Sequence, residues 1–259
     1  MNESDRRQAA DLLLQALREH RQIVQLSTQW PDITIEDAYA IQRLVNEARI
    51  AAGARVRGHK VGLTSKAMQR SSQIDEPDYG VLMADMFYDD GAVFRFEDFC
   101  VPRVEMELGF VLARRLQGPG VGLLDVLAAT DWVVPSIEVI DARVRDPRKI
   151  YDTVADNGAA AAVVIGGRPV RPDAVDLRWV AGLLYRNGDI EETGVAAGVL
   201  GHPALGVAWL ANKLGAFGVA LEPGHFTLSG SFVRPVWAKK GDTLRADFGP
   251  LGSIGIQFC

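Results

Sequence analysis

The chain has 259 residues, 48% hydrophobic and 24% charged, enough for one sizeable core or for one domain with a small appendage. A net charge of −5 without any basic block excludes an electrostatic footprint for nucleic acid. Two cysteines, Cys100 and Cys259, are too few for a disulfide framework and fit a reducing cytosol. The opening MNESDRRQ lacks the apolar stretch of a signal segment, and the run AAAAVVI from Ala159 is far short of the roughly 20 residues that span a bilayer. The expectation is a cytoplasmic protein that acts on neither membrane nor nucleic acid.

In chain order, Ala9, Leu12, Leu13, Ala16, Leu17, Ile23 and Val24 keep helical spacing and predict a first helix running through Val24. A second helix starts at TIED, where Thr34 caps and Asp37 answers it, and ends near Gly53. From RGHKVGLTS onward the pattern changes to short β-rich runs separated by glycine. LLYRNGDIEE reads as a hairpin, with Asn187 and Gly188 in a type I′ turn. A further helix is predicted from Pro203 to Leu214, with Gly215 as its stop. The tail from Phe226 reads as strands joined by tight turns. No βα repeat appears, which argues against a doubly wound sheet or a barrel of that kind. The expected organisation is a helical region over 1–55 leading into a mixed β-rich domain over 56–259.

The sharpest local feature is VPRVEMELGF, residues 101–110. In a strand, Glu105 and Glu107 share one face while Val104, Met106 and Leu108 share the other. Two like charges a few ångström apart cost on the order of 4 kcal/mol at an effective dielectric near 20. Solvent, a basic side chain, a shared proton or a metal ion could offset that cost, and Arg103 and Arg143 are close enough in sequence to be partners. DWVVPSIEVIDAR adds Glu138 from a second β-like run. Three carboxylates without a His or Cys cluster suit a hard cation such as Mg²⁺ or Mn²⁺. GHKVGLTS holds His59 and Lys60 between glycines, and Gly62 permits close approach of a ligand; a lysine there is either a proton carrier or a side chain reaching for the surface. SSQIDEPDYG reads as a polar loop carrying Asp75, Glu76 and Asp78. His202 reads as a helix-start residue and His225 as a turn residue. There is no phosphate-binding glycine loop, G-x-S-x-G or H-E-x-x-H.

Taken together, GHKVGLTSKAMQ, EPDYGVLMADMF, PRVEMELGFVL, PSIEVIDAR, DTVADN and LGHPALGVAWLANKL resemble the 2-oxo acid hydratases and decarboxylases of the fumarylacetoacetate hydrolase superfamily. The resemblance runs over nearly the whole chain. SSQIDEPDYG, LLYRNGDIEETGVAAGVL and GSFVRPV are most similar to its hydratases of 2-oxohept-4-ene-1,7-dioate in homoprotocatechuate breakdown. The resemblance implies an α+β fold, a mixed β-roll or sandwich with flanking helices, and Mg²⁺ (or Mn²⁺) held by Glu105, Glu107 and Glu138. Lys60 and Asp78 become the acid–base candidates, and His59, Gly62, Leu63, Ser231 and Arg234 the substrate contacts. DARVRDPRKIYDT is shorter than in the closest members, so a loop near the site bears on fine specificity.

The implied reaction is hydration of a 2-oxo or 2-hydroxydienoic acid: the dienol ketonises and water adds at C4. Hydration of a five-carbon dienoate, decarboxylation of a 4-oxalocrotonate-type acid, hydrolysis of an acylpyruvate and a non-catalytic assembly subunit are the rival readings. The resemblance also implies a homo-oligomer built on five-fold rings and association with a pathway decarboxylase. A seven-carbon diacid needs a cation for its second carboxylate, and Arg234 in GSFVRPV is the candidate; the alternative is that it pairs with a structural acid.

Overall fold

The computed structural model describes residues 1–71 and 76–259. Helices α1 (Glu3–Glu19), α2 (Leu26–Gln29) and α3 (Ile35–Ala51) open the chain. α1 ends earlier than its apolar spacing predicts, at His20 in the left-handed conformation. Ile23 leaves the helical path because its backbone is taken elsewhere: its N–H donates to Arg143 O (2.8 Å) and its carbonyl accepts from the Arg145 N–H (3.0 Å). α3 starts as expected. Thr34 Oγ1 accepts from the Asp37 N–H (3.2 Å), and the Asp37 carboxylate accepts from the Thr34 N–H (3.0 Å). Ala9, Leu13, Ala38 and Ile41 from α1 and α3 form one apolar cluster with Val144, Val154 and Ala155. The N-terminal helices therefore share a core with the body of the protein.

The body comprises β1 (Val56–Gly62), α4 (Lys66–Ser71), β2 (Asp78–Met83), β3 (Phe87–Asp89), β4 (Ala92–Phe94), β5 (Pro102–Leu112), α5 (Leu123–Ala129), β6 (Thr130–Asp141), α6 (Ile150–Ala155) and β7 (Ala160–Ile165). There follow β8 (Ala181–Arg186), β9 (Asp189–Val195), α7 (Pro203–Gly215), β10 (Phe226–Ser231), β11 (Val236–Trp237), β12 (Thr243–Asp247) and β13 (Ser253–Phe258). One sheet of eight strands has the order β2-β1-β10-β5-β6-β7-β3, with β11 added on β5; a second has the order β4-β13-β12-β8-β9. Both are mixed, with β1–β10 and β4–β13 parallel. Met106, Leu108 and Ile137 of the larger sheet and Leu184, Ala246 and Ile254 of the smaller lie in a common core. This is the mixed α+β sandwich with N-terminal helices that the sequence led us to expect.

The β8–β9 hairpin turns on Asn187 (φ 54°) and Gly188 (φ 95°), and His202 caps α7 by accepting from the Ala204 N–H (3.1 Å). One reading is corrected. Asp78 does not sit in a polar loop but opens β2, where it is buried. Asp75, from the same stretch, lies outside the described residues.

Candidate metal centre and active-site cavity

β5 delivers the acid pair by simple alternation. Val104, Met106 and Leu108 are fully buried in the core on one side, which forces Glu105 and Glu107 to the other. The antiparallel register with β6 then sets Glu138 directly across from Glu105, and Ser136 across from Glu107. On the opposite flank of β5, β10 shifts register between Leu228 and Ser231, and the Gly230 N–H in that irregularity donates to Glu107 Oε2 (2.8 Å). One oxygen from each of Glu105, Glu107 and Glu138 lies within 4.8 Å of the others.

The options for offsetting this charge can now be narrowed. Solvent is excluded at Glu107 and Glu138, both buried. Arg143 is not a partner, because its Nε donates to Asp156 Oδ1 (2.6 Å). Arg103 donates to Asp146 (3.3 Å) with its guanidinium 3.9 Å from the Trp237 ring. Lys60 Nζ stands 3.8 Å from Glu138 Oε1, an ion contact but no hydrogen bond, and among the described residues neither Glu138 oxygen has a hydrogen-bond partner. Burial, then repulsion from Glu138, pushes both Glu105 and Glu107 above the ordinary carboxylate range. Burial does the same to Glu138, against the pull of Lys60 and of a proton that Glu107, when protonated, can share with it. That proton occupies the cradle only while no cation does. Three carboxylates converging on one point, two of their oxygens buried and unpartnered, form a donor set that fits a hard divalent cation.

A cavity of about 530 Å³ opens beside this cradle and is lined by Lys60, Gly62, Leu63, Asp78, Glu105, Glu107, Ser231 and Arg234, among others. β1 sends Lys60 and Gly62 to the cavity side. Lys60 is buried and does not reach for the surface. Burial disfavours its charge, but Glu138, Asp78, Glu105 and Glu107 together outweigh that and hold its pKa above the usual lysine value. Asp78 pairs in register with Gly62, and burial raises its pKa against the pull of Lys60. A Cβ at Gly62 would collide with Asp78 Oδ1, so only glycine lets the two strands bring Lys60 and Asp78 together. The other wall is set by Gly158 (φ 62°), where a Cβ would come within 2.5 Å of Lys60 Cε.

Not every expected contact is in the cavity. His59 is corrected: alternation along β1 turns it to the opposite face, where its ring lies 5.9 Å from that of His225. Burial, with His225 adding, pushes its pKa down to about 3. Ser231 lines the cavity, but its hydroxyl is engaged in a local turn with Val233 O (2.9 Å). Arg234 stands at the rim, 78% exposed, with Glu192 Oε1 at 2.7 Å.

Residues 44–258 match the family profile described as fumarylacetoacetate (FAA) hydrolase C-terminal. The chain is 56% identical over 256 residues to an Escherichia coli 2-oxo-hept-4-ene-1,7-dioate hydratase, with 96% of each chain covered. The chain belongs to the fumarylacetoacetate hydrolase family. Within it, a Comamonas testosteroni 2-hydroxyhexa-2,4-dienoate hydratase is 43% identical over 249 residues, 95% of this chain and 94% of that one. A solved 4-oxalocrotonate decarboxylase of Pseudomonas putida G7, complexed with magnesium and adipate, matches with a TM-score of 0.97 at 32% identity, covering 100% of this chain and 99% of that one. These relatives place the chain in the hydratase and decarboxylase group, and a member of that group holds magnesium.

Sequence reading missed Arg103 and Arg148 as cavity residues, along with Gly158 and Ala159. Arg103 carried a legible signal, since it precedes Glu105 by two and so shares its strand face. Arg148 lies in DARVRDPRKIYDT, the stretch that the family resemblance already set near the site, but no local pattern singled it out there; the fold of the 142–149 connection brings it to the cavity.

Proposed function

We propose that this chain is a magnesium-dependent hydro-lyase that adds water to 2-oxo-hept-4-ene-1,7-dioate in the catabolism of aromatic compounds. The observation that carries the reading is the 56% identity to the Escherichia coli hydratase over 96% of both chains. Glu105, Glu107 and Glu138 would hold the cation. Bound there, it supplies Lewis acidity and a template for the oxygens at the 2-oxo acid end.

The chain's own residues supply the proton traffic. Loss of a proton from C3 of the 4-ene gives the 2-hydroxy-2,4-dienoate. The 2-hydroxyl then gives up its proton as one is placed on C5, leaving the conjugated 3-ene. Water adds with its oxygen on C4, losing one proton while one is delivered to C3. Lys60 and Asp78 are the titratable pair on the cavity wall able to carry these protons, held side by side by Gly62 and Gly158. Ile140 and Phe232 line the same cavity with apolar surface, which limits stray water around the acceptor carbon. Leu63 and Ser231 would shape the substrate channel, and Arg234 its rim.

Decarboxylation is the second reading, favoured by the TM-score of 0.97 to the decarboxylase. Incubating the protein with Mg²⁺ and the seven-carbon 2-hydroxydienoate, then identifying the product, separates the two. Hydration keeps every carbon and gains one water; release of CO₂, or a cleaved chain, sinks the hydratase assignment. We also infer a cytoplasmic homo-oligomer able to associate with a pathway decarboxylase; a monomer mass by light scattering at micromolar concentration contradicts the oligomer.

A further inference from the structure

Arg103 and Arg148 both line the cavity, and both are largely withdrawn from solvent, with side chains 19% and 15% exposed. They converge on a single acid. Arg103 Nη2 lies 3.3 Å from Asp146 Oδ2, and Arg148 Nε lies 3.2 Å from Asp146 Oδ1. Asp146 itself faces outward, 55% exposed. Two guanidiniums thus share one partly solvated carboxylate, and among the described residues Asp146 is the one acid within ion-pair distance of either. Each guanidinium has several N–H donors in a fixed fork, most of them unmatched here. Arg103 is also clamped, with its guanidinium 3.9 Å from the Trp237 ring, so little rotamer freedom remains to lose on binding.

The position of Arg103 relative to the acid cradle is fixed by strand geometry, and the shared Asp146 brings Arg148 to it. Arg103 and Glu105 occupy alternate positions of β5 and face the same way. Two residues of strand rise are about 7 Å, on the order of the six-bond reach between the two carboxylates of a seven-carbon diacid. Ile140, across from Arg103 in the register, lines the cavity beside it and offers an apolar surface for the carbons between. Arg234 differs in its burial and in its partner: it is mostly exposed and is held one-to-one by Glu192, an acid more withdrawn from solvent than Asp146.

We infer that Arg103 and Arg148 form the subsite for the distal carboxylate of a dicarboxylic substrate, with Asp146 holding the two guanidiniums together. The inference deepens the proposed function and rests on it for the substrate, but the subsite makes its own binding prediction. Calorimetry with Mg²⁺ present would compare adipate, a saturated diacid, with valerate, a monoacid. The wild type binds adipate more tightly, and Arg148→Ala and Arg103→Gln each erase roughly tenfold or more of that preference, the loss of one charge-assisted contact. In turnover, the same variants lower the diacid-to-monoacid ratio of kcat/KM by a similar factor, mainly through KM, and by more than Arg234→Ala does. A wild type that does not distinguish adipate from valerate overturns the subsite. So does a ratio that survives both substitutions, or one that collapses only in Arg234→Ala. If adipate binding follows the arginines while no dienoate is hydrated, the subsite stands and the hydratase reading falls. Circular dichroism on each variant separates a lost contact from a lost fold.

Discussion

Two sets of buried acids in this protein are built in opposite ways. Asp156 accepts from the Arg143 backbone N–H (2.8 Å) and from Arg143 Nε (2.6 Å), while Asp152 accepts from the Ser27 N–H (2.9 Å), Ser27 Oγ (2.8 Å) and the Lys149 N–H (2.9 Å). Every oxygen there has a donor. In the Glu105, Glu107 and Glu138 cradle, one backbone N–H reaches Glu107, and both oxygens of Glu138 are left over. A buried carboxylate without a partner costs several kcal/mol, so a fold that retains one has a use for it outside its own hydrogen bonding. Satisfied acids staple elements together; unsatisfied ones that converge await a ligand.

The largest expected effect is on the cradle. Chelation of divalent metal should abolish turnover, and Mg²⁺ or Mn²⁺ should restore it; full activity in excess EDTA would falsify the metal reading. Glu138→Gln removes a charged hard ligand and should abolish the Mg²⁺-dependent rise in Tm that ligand linkage gives the wild type. In EDTA the same variant should melt close to wild type, because relief of repulsion from Glu105 and Glu107 offsets the lost ion contact with Lys60, which keeps Asp78, Glu105 and Glu107 as acidic neighbours. A marked drop in its metal-free Tm would place Glu138 among the structural acids instead.

Next comes the pair beside the cradle. Lys60→Ala and Asp78→Asn should lower kcat by about 10²–10⁴-fold while the Mg²⁺-dependent Tm shift persists, since general acid–base groups contribute that much. Wild-type turnover in both variants would mean that neither carries a proton. The counterpart in the satisfied set is Asp156→Asn. It leaves the buried Arg143 guanidinium without its counter-charge and should cost about 3–5 kcal/mol in denaturant unfolding, with turnover per folded molecule little changed. An unchanged unfolding midpoint would contradict the view that this pair is a staple.

How much of this was legible in the sequence depends on the range of the interaction. The capping box at Thr34 and Asp37, the Asn187–Gly188 turn and the shared face of Glu105 and Glu107 are set within a few residues, and the alternation and turn rules find them. The approach of Glu138 to Glu105 is a register fact between β5 and β6: the pattern offered Glu138 as a third ligand beside the alternative of an ion-paired or solvated acid, and family resemblance decided between them. Where local pattern failed, a long-range partner had won. Ile23 keeps helical spacing but is drawn off to bond with Arg143 and Arg145. Asp78 sits in a polar run, yet antiparallel pairing with β1 makes it a buried strand residue. His59 and Lys60 look equivalent in GHKVG, but the pleat sends them to opposite faces, and which face holds the cavity is decided by the rest of the sheet.

The smallest expected effect tests the satisfied set from its far end. Asp37 is buried, and its Oδ2 accepts from the Met1 ammonium (3.1 Å), the Thr34 N–H (3.0 Å) and Thr34 Oγ1 (3.1 Å), while Oδ1 accepts from Arg6 Nε (2.7 Å). Burial alone would raise its pKa, but the Thr34 N–H, the Met1 ammonium and Arg6 together outweigh burial and hold it down at about 2. The folded-state value thus lies below the unfolded value of 3.8, so the folded state binds fewer protons between the two. The resulting stabilisation is fully present above pH 4 and is lost as pH falls through 2. Asp37→Asn cannot ionise and has no such term. The Tm gap between wild type and variant should be on the order of a few degrees at neutral pH and should narrow steadily below pH 4. If the gap instead stays constant down to pH 2, Asp37 stabilises the α3 cap through its shape and hydrogen bonds alone, and its charge contributes nothing.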